Sequence, residues 1–252
     1  MTVGTSVSPA TEGLFREMQR RCGDIRQAVL AWAPTAARRY PWRQPGRSAY
    51  EVLVAELLLK RTTATAAARV YEGFLVRFPS LESLAAAHQD DLEAALASVG
   101  LHRQRARALR ELAAFVLQRW GGDMPKDMDQ LLSVPHLGPY AAGAIRSFAF
   151  GRPAAIVDSN VERIMRRAFQ DSMPNSTNLA LVREVAERLL PVEKHREFNL
   201  GLLDLGALVC RYVRPRCGDC PLLGSCDFGQ AAVVRARTTE EPSRSRAEGA
   251  SA

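Results

Sequence analysis

Four cysteines near the end of the chain have the spacing of metal ligands. They are Cys210, Cys217, Cys220 and Cys226, and short turns with proline and glycine separate them in the pattern C-x6-C-x2-C-x5-C. So many thiols in one short segment of a cytosolic protein favour metal binding over disulfides. The pattern favours an iron–sulfur cluster, because structural zinc sites usually have two C-x2-C pairs and this segment has one. Zinc and a set of reduced structural thiols are the alternatives, and Cys22 is predicted to be a small buried residue.

The segment between the first two of these cysteines is rich in arginine. It contains Arg211, Arg214 and Arg216, in a chain whose net charge is +7. Arginines on a loop that a metal centre holds in place can contact phosphates without reading sequence, and a basic chain suits a polyanionic partner. A solvated basic loop is the alternative interpretation.

A second pattern with possible binding chemistry is a pair of short helices joined by a tight turn. Helices are predicted over Asp127–Val134 and Tyr140–Phe150, with His136, Leu137 and Gly138 between them. Backbone N–H groups in the turn and at the start of the second helix would offer a phosphate a positive dipole end. Gly138 is predicted to take a positive φ and to allow close approach of a ligand. Helix corners of other all-helical proteins show similar patterns, so the interpretation as a binding hairpin stays open here.

An aspartate follows the apolar run 154–157 at the predicted start of a helix. Ser159 and Glu162 have the spacing of a capping box, which would leave Asp158 just outside the helix end and available for chemistry. The alternative is that Asp158 itself caps the helix.

A glutamate lies among apolar residues in a predicted helix. The neighbours of Glu56 at three and four residues are Val52, Leu53 and Leu59, so its side chain is predicted to lie on an apolar face. Burial disfavours the carboxylate form and would provide a proton donor near neutral pH. The alternative is an ion pair with Lys60, four residues later.

Helices must position these side chains. Apolar residues recur at every third or fourth position in Leu81–Leu96, Arg103–Trp120 and Leu179–Leu190, and no segment alternates long enough for a sheet, so the fold is predicted to be all-α. Residues 1–12 and 231–252 have little to bury and are predicted to be disordered tails. No apolar run approaches the roughly 18 residues of a membrane helix, and the N-terminus lacks a signal-peptide pattern.

Taken together, these residues resemble the endonuclease III-like branch of the helix-hairpin-helix DNA glycosylases, over roughly residues 40–226. The cysteine spacing is that of the [4Fe–4S] members, and Val134–Tyr140 resembles the family hairpin, followed at the expected distance by the catalytic aspartate, Asp158. His136 departs from the pattern because a glycine is usual there. Segments 41–43 and 55–63 resemble the branch that acts on mismatches, in which both adenine and thymine glycosylases keep the glutamate matching Glu56.

Within that branch, the resemblance favours the thymine enzymes. Residues 60–63 and 198–202 resemble them, as does Tyr140, where bifunctional relatives carry a lysine. The resemblance therefore implies a monofunctional enzyme that removes thymine, and uracil, opposite guanine. The first alternative is removal of adenine opposite guanine or 8-oxoguanine, which the short C-terminal segment disfavours, or removal of another modified base. The second is a lesion-binding protein without activity, which the presence of Asp158 and Glu56 disfavours.

The resemblance also implies an architecture of two helical lobes. A six-helix lobe with the helix-hairpin-helix motif would span 41–152, and 13–40 with 153–230 would form the iron–sulfur lobe, with a DNA groove between the two. We expect a monomer that binds double-stranded DNA containing a mispaired or damaged base, in the cytoplasm and associated with the nucleoid.

Roles for individual residues follow from the same resemblance. A base must be flipped out of the duplex before its glycosidic bond can break. Asp158 would stabilise the cationic sugar and orient water, Glu56 would protonate the departing base, and Tyr140 would line the pocket. Leu101 and Arg61 would fill the vacated stack and contact the orphan guanine.

Overall fold

The structure is a computed structural model that describes residues 9–173 and 176–240. All regular elements of these residues are helices and none is a strand, so the predicted all-α fold is confirmed. The α-helices of the described residues are α1 (Pro9–Ala36), α2 (Ala49–Leu59), α3 (Ala64–Arg77), α4 (Leu81–Ala86), α5 (Gln89–Leu96), α6 (His102–Trp120), α7 (Met128–Ser133), α8 (Pro139–Ala144), α9 (Ser159–Ala168), α10 (Leu179–Leu189), α11 (His195–Leu208) and α12 (Asp227–Glu240). No helix among the described residues is long and apolar enough to cross a bilayer.

Shorter turns connect several of these helices. Four are 3₁₀ turns, at Pro41–Arg43, Ala97–Val99, Cys217–Asp219 and Leu223–Ser225. The fifth is a π turn at Ile145–Ala149, into which α8 continues. The second hairpin helix therefore changes its hydrogen-bond pattern partway along, where the sequence predicted one regular helix.

The predicted helix Leu81–Leu96 is two helices in the structure. Ala87 and His88 have extended backbones, with ψ of 143° and 144°, and they separate α4 from α5. Both helices bury leucines: Leu84 and Leu92 are fully buried. The apolar spacing therefore predicted the buried positions correctly. It did not reveal the break at Ala87 and His88, because leucines are buried on both sides of that break. The predicted helices Arg103–Trp120 and Leu179–Leu190 match α6 and α10 to within one residue.

The chain divides into two compact units. One is Arg38–Ile156, which contains α2–α8, and the other comprises the residues up to Ala37 together with those from Val157 onward. The first unit has seven α-helices, two of which are the short helices α4 and α5. The assignment of 41–152, and of 13–40 with 153–230, as two lobes that flank DNA stays a prediction.

Each unit has its own apolar core. In the first, leucines from successive helices are buried in one continuous cluster, including Leu53 of α2 and Leu109 of α6. In the second, α1 packs closely on α11, where a Cβ on Gly201 would lie 2.8 Å from Val29 Cγ1. A side chain at that position would force the two helices apart, so glycine is required by the packing.

Two predictions about the chain ends and one about a cysteine need correction. Residues 231–240, predicted to belong to a disordered tail, continue α12, which begins beside the cysteine segment and is rich in good helix formers. Residues 9–12 already belong to α1, while 1–8 and 241–252 lie outside the described residues. Cys22 is half-buried rather than buried, and its thiol donates to the Gln19 carbonyl.

Candidate functional site

Helix α2 positions the candidate acid Glu56 within the first unit. The helix begins with a capping box, in which the Ser48 hydroxyl accepts from the Glu51 N–H and the Glu51 carboxylate accepts from the Ser48 N–H. All seven residues from Val52 to Leu58 are buried, and Glu56 is 8% exposed. The predicted burial of Glu56 is therefore confirmed. Lys60, the alternative partner on the same helix, is the exposed C-cap residue of α2.

Helices α7 and α8 form the predicted hairpin. Asp127 caps α7 by accepting from the N–H groups of Asp129 and Gln130, and α8 begins at Pro139. The predicted pair of short helices is therefore present. Tyr140, the second residue of α8, is half-buried.

The turn of the hairpin takes its left-handed residue at His136 and not at Gly138. His136 has φ of 65°, whereas Gly138 has φ of −89° and serves as the N-cap of α8. The prediction of a positive φ at Gly138 is wrong. A histidine at position 136, where the family pattern usually has glycine, costs conformational free energy. The left-handed backbone conformation is disfavoured for an L-residue with a side chain and not for glycine. The imidazole Nε2 of His136 lies 2.6 Å from Glu111 Oε2, so the side chain is held against α6.

Leu137 belongs to the core of the first unit. Its side chain is 5% exposed, and its N–H donates to the Val134 carbonyl across the turn. The side chain is therefore not presented to a ligand. The prediction that Leu137 contacts DNA now concerns its backbone only. Behind the hairpin, a Cβ on Gly143 would lie 2.7 Å from the Ala155 carbonyl oxygen, so this glycine allows α8 to approach the following segment.

Asp158 is the N-cap of α9 in the second unit. Its Oδ1 accepts from the N–H groups of Asn160 and Val161, at 2.9 and 2.8 Å. The predicted capping box of Ser159 and Glu162 is wrong, because the helix begins one residue earlier than that pattern requires. The side chain is half-buried, and the helix N-terminus favours a negative charge at this position.

A chain of side-chain hydrogen bonds extends from Asp158 to the first cysteine. The Asn160 amide nitrogen donates to Asp158 Oδ2 at 2.8 Å, and the Arg163 guanidinium donates to Asn160 Oδ1, also at 2.8 Å. Arg163 Nε in turn donates to the Cys210 carbonyl at 2.7 Å, and Nη2 to the Gly206 carbonyl at 2.8 Å. The guanidinium fixes which way the Asn160 amide points, and this orients its donor toward Asp158.

The four clustered cysteines line one pocket. Its other walls include Val209, Pro215 and Phe228, and none of the four thiols forms a disulfide. Within the described residues, no three Cys, His, Asp or Glu side chains converge as a single metal ion requires. Thiolates are ligands of both structural zinc and iron–sulfur clusters, so this donor set fits either kind of metal centre.

Two of these thiols are strongly affected by burial. It raises the pKa of Cys220 and Cys226 to about 11, while backbone N–H groups of Leu222 and Gly229 act in the opposite direction. Binding of a metal centre would therefore displace protons from the pocket. Arg167 Nη1 donates to Cys210 Sγ at 3.4 Å, which places a cation beside the thiols.

The arginine loop between the first two cysteines is exposed. Arg211, Arg214 and Arg216 are all exposed, and Arg214 has φ of 51°. Arg216 forms an ion pair with Asp219, at 2.8 Å, so part of its charge is already compensated. Arg167 donates to the carbonyl of Arg211 at 2.8 Å, so the start of the loop is attached to the wall of the cysteine pocket.

The sequence profile of one protein family covers the centre of the chain. The family, described as "HhH-GPD superfamily base excision DNA repair protein", matches residues 54–189, more than half of the chain. The chain belongs to this family.

Individual relatives support the assignment of this chain to the HhH-GPD family. The thymine/uracil-DNA glycosylase of Methanothermobacter thermautotrophicus is 35% identical over 201 residues, which are 79% of this chain and 90% of that protein. An adenine DNA glycosylase of Mycolicibacterium smegmatis is 34% identical over 194 residues, 77% of this chain and 66% of that protein. The solved structure of a thermostable thymine-DNA glycosylase superposes with a TM-score of 0.81 at 33% identity, over 84% of this chain and 98% of that one. The HhH-GPD protein is therefore a DNA glycosylase of base excision repair, and it binds DNA.

The positioning residues of this HhH-GPD glycosylase were not identified from the sequence. Asn160 and Arg163 orient Asp158, and Arg167 holds the arginine loop against the cysteine pocket. Arg163 lies five residues after Asp158, and Arg167 lies one helical turn further along α9. Residues four apart share a face of a helix, so the sequence did contain a signal for this pair. Arg105, buried at 6% exposure, had no such signal, because four of the five acceptors around its guanidinium are 43 to 48 residues away along the chain.

Proposed function

We propose that this DNA glycosylase hydrolyses the N-glycosidic bond of thymine, or of uracil, mispaired with guanine. The observation that carries the proposal is the likeness to thymine/uracil-DNA glycosylase over 90% of that protein, with a further likeness to a solved thymine-DNA glycosylase. The resemblance of residues 60–63 and 198–202 to the thymine enzymes supports it. A mispaired base is also easier to extrude from a duplex than a paired one.

In this proposal, Asp158 stabilises the positive charge that develops on the sugar. Its carboxylate is fixed by two backbone N–H groups and by the amide of Asn160. A carboxylate held in place before the reaction does not have to reorganise when charge develops, and this is the usual source of electrostatic catalysis. The same group orients the attacking water.

Glu56 and Tyr140 have different proposed roles. The buried Glu56 donates a proton to the departing base, since a buried carboxyl group retains a proton more readily than an exposed one. Tyr140 lines the pocket beside the sugar and offers no amine. The reaction would therefore be hydrolysis without a Schiff base.

We also propose that Cys210, Cys217, Cys220 and Cys226 hold a [4Fe–4S] cluster. The cluster would supply a structural tie among four thiolates in a segment of short turns. Purified protein should be yellow-brown and contain iron and sulfide at about four each per chain. A colourless, active preparation with one equivalent of zinc would contradict the assignment.

The adenine glycosylases are a second candidate, because one of them is 34% identical to this chain and that branch keeps the glutamate matching Glu56. The deciding experiment uses duplexes that differ only at one base pair: T·G, U·G, A·G and A·8-oxoguanine. Strands are scored for alkali-labile sites under single-turnover conditions. We expect cleavage at T·G and U·G, since a pocket that accepts the thymine methyl discriminates weakly against its absence. Cleavage confined to the two adenine duplexes would replace the thymine assignment with the adenine one.

The hydrolytic mechanism has its own test. Borohydride should trap no covalent complex between the wild-type protein and substrate DNA, because no lysine lies at the hairpin position. Tyr140→Lys places an amine there and should give a trappable complex. Efficient trapping by the wild type would contradict the proposal of a monofunctional enzyme.

A further inference from the structure

Arg105 of α6 is a buried arginine whose five N–H donors are all used. A guanidinium has five donors and no acceptor, so a buried one needs five oxygen atoms around it. Here Nε donates to one carbonyl at 3.0 Å, Nη1 to two further carbonyls and Nη2 to a carbonyl and a hydroxyl. These acceptors are the carbonyl oxygens of Gly100, Leu57, Leu58 and Lys60 and the hydroxyl of Thr62. None of them is a carboxylate, so the cation is balanced by backbone dipoles.

The acceptors belong to two separate segments, the end of α2 with the loop after it and the loop before α6. Leu57 and Leu58 are in the last turn of α2, where carbonyl groups have no partner within the helix and the dipole is negative. Lys60 and Thr62 continue from that end, whereas Gly100 lies in the loop before α6. Arg105 therefore joins the loop after α2 (residues 60–62) to the loop before α6 (residues 99–101).

A direct hydrogen bond reinforces this connection. The Thr62 hydroxyl accepts from Arg105 Nη2 at 2.6 Å and donates to the Val99 carbonyl at 3.0 Å. One hydroxyl thus contacts both the guanidinium and the opposite loop. Replacing it with a methyl group would remove both bonds and retain the shape of the side chain.

Each loop presents one exposed residue in a left-handed conformation. Arg61, between two acceptors of Arg105, has φ of 58°, and Leu101, next to a third, has φ of 50°. Both side chains are exposed, Leu101 at 41%. Such a backbone is disfavoured for residues with a Cβ and persists only when surrounding contacts impose it. The contacts of Arg105 fix an acceptor on either side of Arg61 and the carbonyl that precedes Leu101.

We infer that Arg105 is a positioning residue that holds Arg61 and Leu101 in register and thereby sets the discrimination between bases opposite the excised base. The inference rests on the proposed function, in which those two side chains contact the orphan base. A lysine at position 105 would retain the charge, but it has three donors on one atom and cannot reach both loops with a planar fork. The spacing of the two exposed side chains would then be less well defined.

The test measures a ratio of rates, which a general loss of folded protein does not change. The rate of single-turnover excision is determined for the base that the wild type removes, placed opposite guanine and then opposite adenine. We expect Arg105→Lys to lower the guanine-to-adenine ratio by about tenfold, the effect of losing one or more charged hydrogen bonds. Thr62→Val, which leaves the guanidinium in place, should lower the ratio by a smaller factor. Arg119→Lys, an exposed position on the same helix, should leave it unchanged.

The outcomes separate this inference from the proposed function. If the wild type removes adenine rather than thymine or uracil, the proposed substrate is wrong, while the ratio for its own substrate still tests Arg105. If Arg105→Lys and Thr62→Val slow excision opposite both bases by the same factor, Arg105 has only a structural role and the inference is overturned. A wild type without any preference for the opposite base would overturn it as well. If Arg105→Lys does not fold, Thr62→Val decides the question.

Discussion

Replacing Asp158 by asparagine should do more than remove a charge. The side chain caps α9 through Oδ1, and an asparagine carbonyl can keep both of those hydrogen bonds. Oδ2, however, accepts from the Asn160 amide at 2.8 Å, and the substitution places a second donor there. Asn160 cannot rotate its amide to compensate, because its oxygen already accepts from Arg163. The variant Asp158→Asn must therefore leave two donors facing each other.

The structure gives a magnitude for this effect and a way to reverse it. An unsatisfied donor in a half-buried site costs about 1–2 kcal/mol, and a protein of this size loses roughly 2–4 °C of Tm for each kcal/mol. Adding Asn160→Asp exchanges the carboxylate and the amide, so that every donor again meets an acceptor and Arg163 gains a charged partner. The double variant should therefore recover most of the lost Tm.

Activity should respond differently from stability. Asp158→Asn should reduce single-turnover excision by about a hundredfold or more, since the charge opposite the cationic sugar is lost. The double variant should remain as slow, because its carboxylate is displaced by two residues. Thermal unfolding and excision assays on the same preparations separate the two effects. Recovery of excision in the double variant would refute the role of a carboxylate fixed at position 158, and an unchanged Tm for the single variant would refute the hydrogen-bond argument.

Three further predictions concern other parts of the chain. His136→Gly should have a Tm about 2–4 °C above that of His136→Ala in thermal unfolding, because both lose the imidazole and only glycine relieves the left-handed backbone, which costs about 1 kcal/mol. In duplex-binding titrations, Arg211→Ala should reduce the salt slope of log affinity by about 0.9, and Arg216→Ala by less, because its charge is already paired. Burial opposes ionisation of Glu51, but hydrogen bonds from Ser48 and a neighbouring arginine outweigh it and lower the pKa of Glu51. The stability advantage of the wild type over Glu51→Gln should therefore be present above about pH 4.5 and disappear as the pH falls through the lowered pKa, in denaturant unfolding across an acidic series.

Each of these predictions has a contrary outcome. Equal Tm values for the two His136 variants would mean that the turn relaxes when the imidazole is removed. A loss of affinity for Arg211→Ala that is confined to mismatched DNA would mean that this arginine contacts the lesion rather than phosphates. If the Glu51→Gln difference persists at low pH, the effect arises from packing and not from ionisation.

The sequence was sufficient where function depends on local spacing. The four cysteines lie within 17 residues, and turn residues between them allow their thiols to line one pocket. The hairpin and the burial of Glu56 were likewise apparent from patterns no longer than two helical turns. These features depend on neighbours a few residues away, which periodicity and capping rules describe.

Predictions failed where two local solutions are nearly equal in energy. Ser159 with Glu162 and Asp158 alone are both good caps, and the structure selects Asp158, whose carboxylate also accepts from Asn160. In the hairpin turn, Gly138 is the residue that tolerates a positive φ most easily, yet His136 adopts it, beside a carboxylate on α6. In each case a contact beyond the immediate segment favours one alternative.

The net charge of +7 is a weak indication of DNA binding, because several of the arginines that contribute to it are bound inside the protein. Arg105, Arg163 and Arg167 each donate to backbone carbonyl groups inside their own unit, and Arg216 has a carboxylate partner. These guanidiniums contribute to the formal charge while they serve as internal cross-links, a role for which a planar fork with five donors is suited and an ammonium group is not. Positive charge that can meet a phosphate is therefore confined to exposed residues such as Arg211. Replacing an arginine with lysine keeps the net charge at every site. At the buried positions the replacement should slow excision, whereas at the exposed positions it should leave phosphate contacts largely intact.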